Sequence, residues 1–169
     1  MAHEIENMLY VGATPWHGLG RKLEAAPSIA EAIVQAGLDW DVATKNLQIS
    51  EDGRGVPARA TVRMSDGRIL GVVGEDYSVL QNRDAFGFFA PWIDSGAAEL
   101  HTAGSLRGGR RVWILARIKG DPLVIVPQAS DVVDRYILLS NSHDGTLCVR
   151  AGFTPIRVLC ANTLRMAHG

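Results

Sequence analysis

The sequence predicts an α+β fold, a mainly antiparallel sheet of hairpins with two short helices. Three observations lead there. Several runs alternate apolar and polar residues with a period of two between turn residues. Two junctions, Ser65-Asp66-Gly67-Arg68 and His143-Asp144-Gly145, carry the Asp-Gly pair that reverses a hairpin, and only two segments have helical spacing. Strands grouped into hairpins around separate helices define this class.

The first helix opens at Pro27-Ser28-Ile29-Ala30-Glu31, with Ser28 as N-cap and Glu31 as its reciprocal partner; Ile29, Ala32, Ile33 and Ala36 share a face until Gly37 stops it. Asp41 to Ile49 reads as a strand, and Ala58 to Met64 pairs with Ile69 to Val73 across the first Asp-Gly turn. The second helix starts at Asn82 and runs through Phe86, Phe89, Ala90 and Ile93 to Gly96, with Pro91 distorting its last turn. Arg110 to Ile118 and Leu123 to Val126 follow as strands. Tyr136 to Asn141 and Thr146 to Phe153 flank the second turn, and Thr154 to Cys160 closes the set. Gly12 to Lys22 lacks both the GK[ST] ending of a phosphate loop and the third glycine of a dinucleotide fingerprint, so it reads as an irregular arm anchored by Trp16.

With 169 residues, 47% hydrophobic and 21% charged, the chain is long enough for one core, and residues 1–169 read as a single domain. No run of apolar residues reaches membrane-spanning length and MAHEIENMLYVG has no signal-peptide core, which predicts a soluble intracellular protein with no membrane partner. Cys148 and Cys160, without a CxxC partner, read as packed thiols. The net charge is −1, yet residues 1–100 carry 8 Lys/Arg against 14 Asp/Glu while residues 101–169 carry 9 against 4. The second part is therefore suited to a polyanion even though the whole chain is not.

His143-Asp144 is the most conspicuous pair for catalysis. Asp-Gly in a hairpin turn has a structural cause, because the turn needs positive φ, and the remaining histidines His3, His17, His101 and His168 show no metal-ligand spacing. No metal site, cofactor or catalytic residue is assigned. A trio of Cys160, Asn162 and His143 fails for a similar reason: in a strand, Cys160 points with Ile156 and Val158 toward the core.

PWHGLG, AGLDW, VVGEDYSVLQN, TAGSLRGGRRVW, SNSHDGT and TPIRVLCANTL together resemble the uncharacterised phage- and plasmid-like protein family, a domain-of-unknown-function family, over nearly the whole chain. The resemblance implies a bacterial or phage cytoplasm and a mobile-element setting, and it supplies no catalytic residues. It also implies longer members, with NTLRMAHG as the start of a C-terminal helical part, where Asn162 reads as an N-cap.

LRGGRRVWILARIKG carries the functional expectation. As one strand it places Val112, Ile114, Ala116 and Ile118 on one face and Arg111, Trp113, Leu115, Arg117 and Lys119 on the other. Arg59, Arg63, Arg150 and Arg157 extend such a basic face from other strands, and Arg135 lies in the strand before His143. The expectation is non-catalytic binding of single-stranded DNA or RNA, phosphates on the arginines and a base on Trp113, in annealing or recombination. A blander reading makes the arginines solvated positions and sets Trp113 against a helix or a partner. Two further classes compete: a small hydrolase or nuclease using His143, Asp144 and Asn141, and a module binding host defence proteins through Glu51, Asp52, Glu75 and Asp76. Unpaired sheet edges and the Trp16 arm predict a homo-oligomer.

Overall fold

A computed structural model describes residues 4–120, 123–124 and 132–169. In chain order it contains β1 (Ile5–Val11), β2 (Arg21–Leu23), α1 (Ile29–Gln35), β3 (Val42–Gln48), β4 (Gly55–Arg63), β5 (Ile69–Gly74), α2 (Asn82–Gly87), α3 (Ala90–Asp94), β6 (Ala98–Leu106), β7 (Arg111–Ile118), β8 (Leu123–Val124), β9 (Val132–Val133), β10 (Tyr136–Ser142), β11 (Arg150–Thr154) and α4 (Ala161–Ala167). A six-stranded sheet has the order β11-β10-β7-β6-β1-β2, and β3-β4-β5 form a second sheet. β1 and β2 run parallel, whereas the other pairs of these two sheets are antiparallel. The class is α+β. The end of the predicted strand Leu123 to Val126 lies outside the described residues.

Period-two alternation gives each central strand two apolar faces. Leu9 of β1, Val112, Ile114 and Ala116 of β7, and Ile137 and Leu139 of β10 enter a core with Ala32 and Ala36 of α1, Phe86 of α2, and Trp40 and Leu70 from the second sheet's side. Met8 and Tyr10, Trp113 and Leu115, and Tyr136 and Leu138 point the other way, into a second core closed by Val158 and Leu164. The large sheet is thus covered on both faces, and the solvated outer face expected from sequence does not exist along its centre.

Local signals account for much of the chain. Ser28 caps α1 with the predicted reciprocal box, its backbone N–H donating to Glu31 at 2.9 Å. The SDGR hairpin joins β4 to β5, and Gly67 adopts a φ of 72° there.

Five expectations change. The second helix is two: Pro91 lacks an N–H and sits in the first turn of α3, where that donor is not needed, instead of distorting a longer helix. Residues 155–160 do not form a strand; they cross the second face of the sheet as irregular chain, since Pro155 cannot continue a ladder and Thr102 Oγ1 takes the Val158 carbonyl instead (2.8 Å). β11 begins only at Arg150, because Asp144 accepts from the Thr146 N–H (3.0 Å) and prolongs the turn. Cys148 is exposed, whereas Cys160 is buried as predicted. The Gly12–Lys22 arm is not anchored by burial of Trp16, which is 71% exposed; His17 Nε2 donates to the Leu159 carbonyl (3.0 Å), and Arg157 donates to the carbonyls of Val11 and Ala13.

β6 went unread because His101, Thr102, Gly104 and Ser105 dilute its apolar pattern and a register shift between Leu100 and Thr102 breaks its period. Gly104 lies tight against β1 and Trp113: a Cβ there would meet the Asn7 backbone carbonyl oxygen first and would lie 2.6 Å from Trp113 Cη2 and 2.7 Å from Met8 Cβ. Gly104→Ala is expected to destabilise the fold by about 1–3 kcal/mol in urea unfolding. Gly152→Ala, where nothing lies within 4 Å of the added carbon, is expected to change stability little.

Candidate anion-binding cleft

The eight residues predicted to form one basic face are dispersed. Trp113 is fully buried; its indole N–H donates to Thr102 Oγ1 at 3.1 Å and its ring lies beneath α4. The expected base-stacking role is therefore corrected: Trp113 holds the second core together, as the blander reading had it. Arg117 and Lys119 stay near one another, but both meet Glu99, at 2.6 and 3.8 Å. Arg63 is buried between the two sheets, paired with Glu6 (2.9 Å) and Asp66 (2.6 Å) and stacked over Trp40 at 5.2 Å, so it is not part of an open surface. Arg59 lies half-buried on β4, opposite Asn46 and Val73. Arg157 is half-buried, and burial lowers the pKa of its guanidinium.

Arg111 and Arg150 do come together. Arg111 opens β7 on the face that Trp113 and Leu115 share, at the point where α4 no longer covers the sheet, and Arg150 opens the edge strand β11. Between them lies a cleft of about 500 Å³. The β6–β7 turn adds Arg107, and α4 adds Asn162, Arg165 and His168. Glu4 is the acid in the lining, and it is taken by Arg107 Nε at 2.7 Å. Among the described residues no ion pair engages Arg111, Arg150 or Arg165. Arg111 donates through Nη2 to Thr146 Oγ1 (3.2 Å), while its Nε is buried with no acceptor. A buried donor without a protein acceptor is costly, which marks this position as one where an oxygen from outside the chain would stabilise the site. His168 Nε2 lies 2.9 Å from Ser140 Oγ; burial first, then Arg150 and Arg111, holds its pKa below the ordinary histidine value.

Sequence reasoning missed Arg107, Asn162, Arg165 and His168 as site residues, and Asn162, read there as an N-cap, is instead the second residue of α4, whose N-cap is Cys160. Asn162, Arg165 and His168 fall at spacings of three along α4, a face that was legible once a helix was granted to NTLRMAHG.

His143 sits elsewhere. It is fully buried, with Nε2 3.0 Å from Asn82 Oδ1 and Trp40 edge-on at 5.4 Å. Thr61 Oγ1 donates to its carbonyl at 2.6 Å, linking the two sheets. The pair is the tip of a turn with an inward imidazole, and Gly145 adopts the positive φ (73°) that the turn requires. Among the described residues no three His, Cys, Asp or Glu side chains gather as metal ligands, and no helix is long and apolar enough to cross a membrane.

A family model described as a domain of unknown function (DUF932) matches residues 69–169, and the chain belongs to that family. The matched segment contains the whole cleft except Glu4. No curated protein and no solved structure matches the chain.

Burial lowers the pKa of His143 to about 4; burial, then Arg157 and Arg117, does the same for His101. The unfolded chain, with histidines near 6.5, then binds more protons than the native one between about pH 4 and 6.5. Stability is expected to be full above pH 6.5 and to fall as pH drops toward 4, by up to about 3 kcal/mol per histidine. Urea unfolding across that range checks it: His143→Gln should show a shallower slope than the parent, and an unchanged slope would contradict the assignment to His143.

Proposed function

We propose that the protein binds single-stranded nucleic acid without catalysing a reaction, seating phosphate in the cleft of Arg107, Arg111, Arg150 and Arg165. The convergence of these guanidinium groups on one cavity, with one acid in its lining, carries the reading. Planar guanidinium forks match phosphate oxygens two at a time, and charge-assisted hydrogen bonds of this kind are stronger than neutral ones. The charge balance of residues 101–169 supports it. For the base, an exposed aromatic stands at the same sheet edge: Phe153, 77% exposed. It lies three residues from Arg150 on β11 and, opposite Ile137, on the other face of the strand, so a bound strand that meets both passes over the edge of β11. Phe153 takes the role that the sequence suggested for Trp113. The resemblance of its motifs to phage- and plasmid-like proteins supports reading the activity as mobile-element DNA metabolism, annealing or recombination. A hydrolase centred on His143 finds no support, since that ring lies inside the core.

The edge strand β11 also favours self-association, because its outer backbone groups have no strand partner in the sheet order. Light scattering is expected to show a homo-oligomer, and a monomer over a wide concentration range would remove this part of the proposal.

Fluorescence anisotropy with labelled single-stranded DNA, RNA and duplex at several salt concentrations tests binding. Arg150→Ala is expected to weaken all sequences about equally and to reduce the salt slope by about one unit, whereas Phe153→Ala should cost about 1–3 kcal/mol with little change in slope. Duplex should bind less well, its bases being already stacked. Absence of salt-sensitive binding to single strands would overturn the proposal.

A further inference from the structure

Resting on the nucleic-acid reading, we infer that the cleft is selective for a strand end, taking a terminal phosphomonoester instead of an internal phosphodiester. Three observations separate the two ligands. The first is the charge in the cavity. Glu4 is paired with Arg107, and among the described residues no side-chain carboxylate forms an ion pair with Arg111, Arg150 or Arg165, whose guanidinium groups line about 500 Å³; Asp144, which accepts from the Thr146 N–H, lies near enough to Arg111 for that charge to help lower its pKa. An internal phosphodiester brings one negative charge, whereas a phosphomonoester brings about 1.5 to 2 at neutral pH, with three strong acceptor oxygens. Three unpaired guanidinium groups around one volume match the second.

The second observation is that basic charge is a focus here and not a track. A groove that follows a backbone needs cations repeated along its length. Arg117 and Lys119 are instead drawn to Glu99, Arg63 and Arg68 to Glu6 and Asp66, and Arg83 to Asp41. The third is the floor of the cleft. Arg111 Nε is buried and without an acceptor, and His168, tied to Ser140, stands beside the Arg111 and Arg150 charges. The outer end of the Arg111 fork, where Nη2 meets Thr146, is the part open to a ligand, and a terminal phosphate presents three oxygens there whereas a backbone phosphate flanked by two sugars presents two.

The test is a competition assay in which unlabelled single-stranded oligonucleotides of one sequence, with a 5′-phosphate, a 3′-phosphate or hydroxyls at both ends, displace a labelled strand; inorganic phosphate and a nucleoside monophosphate are run alongside. A phosphorylated end is expected to tighten binding by about tenfold or more, as for added charge-assisted hydrogen bonds. Arg111→Gln and, independently, the exposed Arg165→Gln should weaken every strand but bring the ratio of affinities for phosphorylated and hydroxyl-ended strands close to one, and a ratio unchanged in both variants would overturn the assignment of the end to this cleft. Equal affinity of phosphorylated and hydroxyl-ended strands would overturn strand-end selectivity and leave the nucleic-acid reading standing. Displacement or saturable binding by the nucleoside monophosphate or by inorganic phosphate, with no strand binding, would uphold the monoester site and remove the nucleic-acid reading. No binding by any of the ligands would overturn both.

Discussion

Thr102 Oγ1 accepts the indole N–H of Trp113 at 3.1 Å and donates to the carbonyl of Val158 at 2.8 Å, within a region closed to solvent. Each polar atom in this relay is satisfied, and in a low-dielectric interior such hydrogen bonds are strong while an unmade one is costly. The relay ties residues 155–160, which have no ladder of their own, to the face of the large sheet. With Val158 in place, Leu164 follows it into the second core, and Thr163 Oγ1 accepts from the Cys160 N–H (3.0 Å) to start α4. The position of Arg165 and His168 above Arg111 is a consequence of that docking. A polar triad in the core therefore fixes the geometry of the charged cleft at the surface.

The rest of the charge is organised differently. Glu6, Arg63, Asp66 and Arg68 form a connected group between β1 and the β4–β5 hairpin, close to the side where Thr61 reaches the His143 carbonyl. The hydrogen bond to Asp66 and the proximity of Glu6 raise the pKa of Arg63, and the same contacts with Arg63 lower that of Asp66. These groups are occupied in holding two sheets together. Among the described residues no ion pair engages Arg111, Arg150 or Arg165, and that contrast, more than the number of arginines, is what supports reading the cleft as a binding surface.

What could be read from the sequence was local. The Ser28–Glu31 box, the SDGR hairpin and β7 each follow from residues a few positions apart, whereas Cys160 is buried as the N-cap of α4 and not through the strand alternation that suggested it. The second layer could not be read, because whether Trp113 and Leu115 face water or Val158 depends on chain more than forty residues away. The same alternation that separated Arg111, Trp113 and Arg117 from Val112 and Ile114 was correct; what differed was the cover placed over that face. Arg111 and Arg150 were identified as candidates, but their neighbours on α4 depend on how that helix, expected from NTLRMAHG, docks across the sheet after a segment whose alternation suggested a strand. His143 shows the converse: the turn around it was legible, while its burial against Asn82 and Trp40 arises from a second sheet folded against the turn.

The most direct measurement follows two nitrogens on neighbouring β7 side chains by NMR. In a titration with single-stranded DNA, the Nε–Hε resonance of Arg111 is expected to shift progressively as phosphate engages the open end of its guanidinium, while the Trp113 indole resonance stays in place because its hydrogen is already given to Thr102. Movement of the Trp113 indole with Arg111 unperturbed would contradict this, and would return the binding surface to the strand face that the second core is held to occupy.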